Sequence, residues 1–157
     1  MKSDTKGKQL TKSFEHCSLV PYLCPAGVPT IGWGNTIYPN GKKVTMRDKP
    51  ITQAFADEIF EFIYSLFEKE VASLVKSNVN QTQFNALVDF AYNVGSDIDQ
   101  DDIPEGLGDS TLLKKVNKNP NDATIAAEFM KWNKANRKVS NGLIRRRKAN
   151  VEMYFKK

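Results

Sequence analysis

Two cysteines, Cys17 and Cys24, are all the chain holds among 157 residues. That is too few for the dense disulfide framework of a small secreted scaffold, so two reduced thiols are the expectation. No stretch approaches the roughly 18 consecutive apolar residues of a membrane helix, which argues against stable membrane insertion. The basic opening Met1-Lys2-Ser3-Asp4-Thr5-Lys6-Gly7-Lys8 leads into no apolar core of a secretory signal, so cytoplasmic accumulation is expected. There is no internal repeat and no low-complexity tract, and the only histidine is His16.

What is present is ordinary for a globular protein: 40% hydrophobic and 26% charged residues. The length suits one domain, or two small lobes sharing a core, and is enough to bury most of the apolar surface unaided. Charge is unevenly spread. The net +5 is concentrated in residues 131–157, with ten Lys or Arg against one acid, Glu152, and the remainder is mildly acidic. A basic end of this kind favours a polyanionic partner: cell wall, anionic lipid or nucleic acid.

Periodicity and punctuation outline the elements. Residues 4–16 read as a first short helix, weakened by Gly7. From Tyr22 to Thr45, prolines and glycines break the chain into short segments and Pro39-Asn40-Gly41-Lys42 is a hairpin signal, together predicting a small β-sheet. Phe55, Ile59, Phe62, Ile63, Leu66, Phe67, Val71, Leu74 and Val75 recur at helical spacing and predict one long helix over about 52–76. Asn80-Gln81-Thr82-Gln83 resembles a capping box for a helix whose apolar face is Phe84, Leu87, Val88, Ala91 and Val94, stopped at Gly95. Further helices are expected over 110–117, 122–133 and 142–155. A small sheet set early in a mostly helical chain makes the class α+β.

Polar, nucleophilic and glycine residues concentrate between Phe14 and Thr36. Glu15 is expected at the end of the first helix, beside aromatic residues. The negative end of the helix dipole and an apolar setting both raise a carboxyl pKa, and a carboxyl kept protonated near neutrality can hand a proton to a leaving oxygen. Cys24 and Thr30 lie on the segments that must fold back past that helix end. Taken alone, a Glu and a Cys are more simply a solvated acid and a small buried hydrophobe.

Glu15, Ser18-Leu19, Pro21-Tyr22 and Thr30-Ile31-Gly32-Trp33-Gly34-Asn35-Thr36 together resemble the signature of the phage-type lysozymes of glycoside hydrolase family 24: Glu, eight residues, Asp or Cys, five residues, Thr. The resemblance continues through Phe90-Ala91-Tyr92-Asn93-Val94-Gly95, Ser110-Thr111-Leu112-Leu113, Trp132-Asn133, Gly142-Leu143 and Arg146-Arg147. It implies a lysozyme-like fold: a small β-containing lobe over about 13–60, a connecting helix over about 61–80, and a helical lobe of about 81–157 with 1–12. It also implies a substrate cleft between the lobes and hydrolysis of the β-1,4 bond from N-acetylmuramic acid to N-acetylglucosamine in bacterial peptidoglycan. Glu15 carries over as general acid, Cys24 as the second catalytic position and Thr30 as the third, helping to position water. Gly32, Thr36, Tyr92, Asn93 and Thr111 carry over as saccharide contacts. The resemblance implies neither cofactor nor metal, a monomer without a nucleic-acid partner, and holin-type release from the host cytoplasm.

Cysteine at the second position departs from the commoner Asp. Three roles stay open: a thiolate base for water, which is favoured, a covalent nucleophile, or a spacer beside Thr30. An impaired module that binds wall glycan without cutting it is the alternative function. His16 is expected to be an exposed helix-end residue, and a Cys17–Cys24 bond formed after export is a conceivable off-switch. Tyr92 on a helix is often simply core, and Trp132 is expected to pack the helical lobe. Ser96 to Glu105 alternates acids like a calcium loop, yet lacks its sixth-position glycine and closing Glu, and reads as a solvated loop. Arg145-Arg146-Arg147-Lys148, interleaved with Leu143, Ile144, Val151 and Phe155, predicts a packed helix with a basic outer face.

Overall fold

The computed structural model describes residues 1–99, 101 and 103–156. Helix α1 (Thr5–Phe14) opens behind Asp4, whose carboxylate accepts the Gly7 N–H at 3.0 Å and the Asn85 amide at 2.8 Å. Contacts divide the chain into two compact units: Lys12–Leu66, and Met1–Thr11 with Phe67–Lys157. Helix α2 (Gln53–Leu74) contributes residues to both.

In the first unit, β1 (Ser18–Leu23) runs antiparallel to β2 (Pro29–Gly32), pairing Tyr22 with Thr30 and Leu23 with Pro29. The ladder is irregular between Ser18 and Tyr22, where Pro21 has no N–H to give. The two strands close through a tight turn in which Gly27 (φ +76°) donates to the Cys24 carbonyl at 2.8 Å. Pro39 to Lys42 forms the expected turn, with Gly41 at φ +81° and Tyr38 N–H donating to Lys42 at 2.9 Å. Beyond β1 and β2, only isolated bridges such as Ile37 with Lys43 remain of the sheet expected up to Thr45. Ile31, Val44, Ala56, Ile59, Phe60, Ile63 and Tyr64 make the unit's core. Phe55 and Phe62, counted on the apolar stripe of α2, are instead exposed, and Phe55 lies parallel to the Tyr38 ring at 6.3 Å.

The second unit is built around α3 (Gln81–Val94), which α6 (Asn141–Tyr154) crosses most extensively. The capping box is formed: Asn80 Oδ1 accepts the Gln83 N–H and Gln83 Oε1 accepts the Asn80 N–H, each at 2.9 Å. Gly95 ends the helix at φ +102°. Helices α4 (Thr111–Lys118) and α5 (Ile125–Met130) complete the layer, α5 shorter than the 122–133 expected. A two-residue ribbon, β3 (Lys134–Ala135) with β4 (Lys138–Val139), fills a stretch to which the sequence assigned no element.

The basic run corrects one expectation. Arg145 and Lys148 face solvent, but Arg146 and Arg147 are buried rather than on the outer face. Arg146 makes a two-pronged ion pair with buried Asp89 at 2.8 and 3.2 Å, and Asn150 donates to the same carboxylate at 2.7 Å. Helical periodicity marks which positions point inward but cannot see the buried acid that makes an inward arginine tolerable. Among the described residues no helix is long and apolar enough to cross a membrane.

Candidate active site

Glu15 directly follows the last turn of α1, half-buried. Its position is shaped by the next glycine-rich loop. Ile31 and Asn35 exchange backbone hydrogen bonds, both at 2.9 Å, closing a three-residue loop of Gly32, Trp33 and Gly34. Gly32 (φ +63°) and Gly34 (φ +83°) adopt left-handed conformations that a side chain resists. At Gly34 the requirement is doubled, because a Cβ there would stand 2.8 Å from Glu15 Oε2. The carboxylate therefore rests against a bare α carbon.

Tyr22, on β1, feels the charge of this acid. Its phenol is held above the ordinary tyrosine value, first by burial and then by the negative charge of Glu15, Cys24 and Cys17. A single phenol thus feels Glu15 and Cys24 together, and its strand partner is Thr30. Sequence reasoning gave Tyr22 no role, although it stood in the Pro21-Tyr22 block, because pairing across strands is invisible until the register is known.

Cys24 sits at the mouth of the hairpin turn, half-buried. Its thiol is lowered from the ordinary value chiefly by the backbone N–H of Val28, then by those of Ala26 and of Cys24 itself and by the Thr30 hydroxyl, against an opposing effect of burial. Thr30 is buried, and its hydroxyl lies 2.9 Å from the Val28 carbonyl. One hydroxyl hydrogen cannot serve that carbonyl and the sulfur at once. A thiolate, as a charged acceptor, competes for it more strongly than a neutral thiol does.

The remaining residues divide between the units. Gly32 is buried, so its positive φ and the nearby Ala56 and Asn35 account for the glycine, whereas Thr36 is exposed. In the helical unit Tyr92 lies against Phe67 with ring centroids 5.3 Å apart, and Thr111 is exposed at the start of α4. Asn93 accepts a hydrogen bond from Arg147 Nη2 at 2.8 Å. Arg147 is fully buried beneath the Phe90 ring, with Nε and Nη1 making no hydrogen bond, and burial brings its pKa down to about 10. Asn93 also borders an open cavity of about 350 Å³ shared with Lys131, Trp132 and Lys134. Trp132 itself meets Phe90 edge-on at 5.4 Å, a packing role.

His16 is exposed. Cys17 and Cys24 flank opposite ends of β1, and at roughly 3.3 Å per strand residue their α carbons lie well beyond the ~7 Å a disulfide spans. A bond between them requires β1 to come apart. Carboxylate oxygens of Asp97, Asp99 and Asp109 lie within 4.8 Å of one another. Asp97, however, accepts the backbone N–H groups of Glu105 and Gly106 at 3.1 Å and so serves to shape its loop. Gln100 and Asp102 of the same acidic stretch lie outside the described residues.

The phage lysozyme family model matches residues 12–150. An endolysin of Bacillus phage B103 is 35% identical over 95% of this chain, which spans about half (52%) of that protein's length. Among solved structures, an endolysin from Escherichia coli O157:H7 phage FAHEc1 superposes with a TM-score of 0.83 at 32% identity, covering 99% of this chain and 94% of its own. The muramidase domain of SpmX from Asticaccaulis excentricus superposes with a TM-score of 0.80 at 28% identity, covering 99% of both chains.

Proposed function

The chain belongs to the phage lysozyme family, and on that footing we propose that it is a muramidase endolysin that cleaves the N-acetylmuramic acid to N-acetylglucosamine bond of bacterial peptidoglycan. The observation that carries this reading is the seat of Glu15: a half-buried carboxyl against the bare α carbon of Gly34, felt through Tyr22 together with the Cys24 thiol. A carboxyl so held is fit to protonate the departing glycosidic oxygen as the C1–O bond breaks.

Water then attacks C1. Its proton passes to the Cys24 thiolate, which the Val28 and Ala26 N–H groups and the Thr30 hydroxyl stabilise, while Glu15 is left as carboxylate; Glu15 then regains a proton from solvent and Cys24 gives one up to it. Cys24 thereby supplies the anion that Asp provides more commonly, and Thr30 serves both the sulfur and the water. Saccharide contacts fall to Thr36, Tyr92, Asn93 and Thr111, with Gly32 acting only through its backbone. The exposed Arg145 and Lys148 add long-range attraction to an anionic wall. In this reading the protein works as a monomer, gathers in the host cytoplasm and meets the wall after holin-type release.

The test is clearing of purified cell walls followed by analysis of the new reducing ends. Muramic acid at those ends, with no clearing by Glu15→Gln, is the expected result. Walls bound but left uncut by the parent chain, or cut as fast by Glu15→Gln, overturn it.

A further inference from the structure

One carboxylate oxygen outside the catalytic set gathers the segments on either side of Glu15. Asp57, on the first turns of α2, receives the Lys12 ammonium at 2.9 Å and the Trp33 indole N–H at 2.9 Å, both on Oδ1. Gln53, one turn earlier, donates to the same oxygen at 3.4 Å and lies 3.7 Å from Cys17 Sγ. Lys12 also stands over the Trp33 and Phe60 rings, 4.9 and 4.7 Å from their centroids. In sequence these contacts bracket the acid. Lys12 is three residues before Glu15, Cys17 two after it, and Trp33 immediately precedes Gly34, the residue against which the Glu15 carboxylate rests.

We infer that Asp57 is a positioning residue for the proposed general acid, locking the end of α1, the Gly32–Gly34 loop and the start of β1 to α2 so that the Glu15 carboxyl is held in one orientation; this rests on the muramidase reading. Asp57 touches no reacting atom. The cation–aromatic cage explains why the link is specific. The rings set the direction from which the ammonium reaches the carboxylate, so removing the counter-ion loosens Lys12 and with it the last turn of α1. Without Asp57 Oδ1 the indole N–H loses the hydrogen bond that ties Trp33, and with it the neighbouring Gly34, to α2. A carboxyl that must face a glycosidic oxygen tolerates little such freedom, because an ångström of misplacement costs orders of magnitude in rate.

The experiment measures kcat and KM of the full chain on soluble peptidoglycan strands across pH, at temperatures well below each variant's Tm. Asp57→Ala is expected to lower kcat by about tenfold or more while KM stays within about twofold, and to shift the pH dependence of kcat. Trp33→Phe, which keeps an aromatic face but loses the indole N–H and part of the ring area, is expected to change both in the same direction by less. Glu128→Gln serves as the stability control: it weakens the ion pairs to Lys115 and Lys131 in the other unit, each at 2.8 Å, and leaves kcat and the pH profile unchanged. Parental kcat and profile in Asp57→Ala overturn the inference, whatever its Tm. Should Asp57→Ala fail to fold, parental kinetics in Trp33→Phe overturn it equally. A parent chain that cuts no glycan sinks the muramidase reading itself, which the Asp57 variants acting on an active parent do not touch.

Discussion

The α carbon of Gly34 abuts the carboxylate of Glu15: a methyl group placed on it would stand 2.8 Å from Oε2. The proposed catalytic acid and this glycine are nineteen positions apart in sequence, yet each fixes what the other can be. Gly34→Ala is expected to reduce wall hydrolysis at least tenfold, since the added methyl pushes the carboxyl out of place, in addition to about 1–2 kcal/mol of backbone strain at φ +83°. Gly41→Ala provides the comparison: Gly41 has a similar φ of +81° with nothing within 4 Å. It should lose stability alone. Equal activity loss in the two variants would show that strain, not displacement of Glu15, is responsible.

Much of this arrangement was legible in sequence, and the failures share a cause. The long helix, the Asn80 capping box, the Gly95 stop and the Asn40-Gly41 turn follow from signals within a few residues of one another, and the structure contains them all. Glu15, Cys24 and Thr30 were singled out by spacing and resemblance. Tyr22 and Asp57 were missed because their roles come from cross-strand pairing and from a helix beginning some twenty residues further along. The β3–β4 ribbon was missed for another reason: its turn places Asn136 and Arg137 at φ +50° and +64°, and arginine carries no turn signal.

In the proposed reaction the Cys24 thiol, lowered first by the Val28 N–H, carries a pH signature. If its thiolate takes the water proton, activity rises with pH as the thiol ionises, at a pH below that of an unperturbed cysteine. Because the folded-state value is depressed, the accompanying stabilisation is present above the ordinary thiol pKa and is lost as pH falls through the lowered one. Cys24→Asp should remain active with its acidic limb moved down towards the carboxylate range of about pH 4, whereas Cys24→Ser should lose that limb with most of the activity. Thr30→Val should raise the pH at which iodoacetamide alkylates Cys24. Full activity in Cys24→Ser would assign the sulfur a space-filling role instead.

Asp89 and Arg146 make the strongest claim on stability in the helical unit. Both side chains are buried, at 0% and 5% exposure, and their ion pair is joined by Asn150. Asp89→Ala strands a buried guanidinium and should cost about 3–5 kcal/mol in denaturant unfolding, while Arg145→Ala, one residue from Arg146 but in solvent, should stay within about 0.5 kcal/mol. The contrast separates two arginines that are adjacent in sequence and alike in composition. Comparable losses for both variants would mean that the pair contributes no more than surface charge.

Gly7 sets a rule of sequence reading against a feature of packing. Helix propensity alone makes Gly7→Ala stabilising by about 1 kcal/mol, since Ala is the best helix former and Gly among the worst. But Gly7 is buried, and a Cβ there would lie 2.7 Å from Cγ of Asn85, whose amide donates to Asp4 at 2.8 Å and whose oxygen accepts from Gln81 at 2.9 Å. Asn85 is held at both ends and fully buried, so it has nowhere to retreat. Overpacking of this kind costs about 1–3 kcal/mol and disturbs the cap that starts α1. The expected outcome is therefore a lower unfolding midpoint for Gly7→Ala. A higher midpoint would show that α1 can shift away from α3 at little cost, and that propensity rather than close approach governs this position.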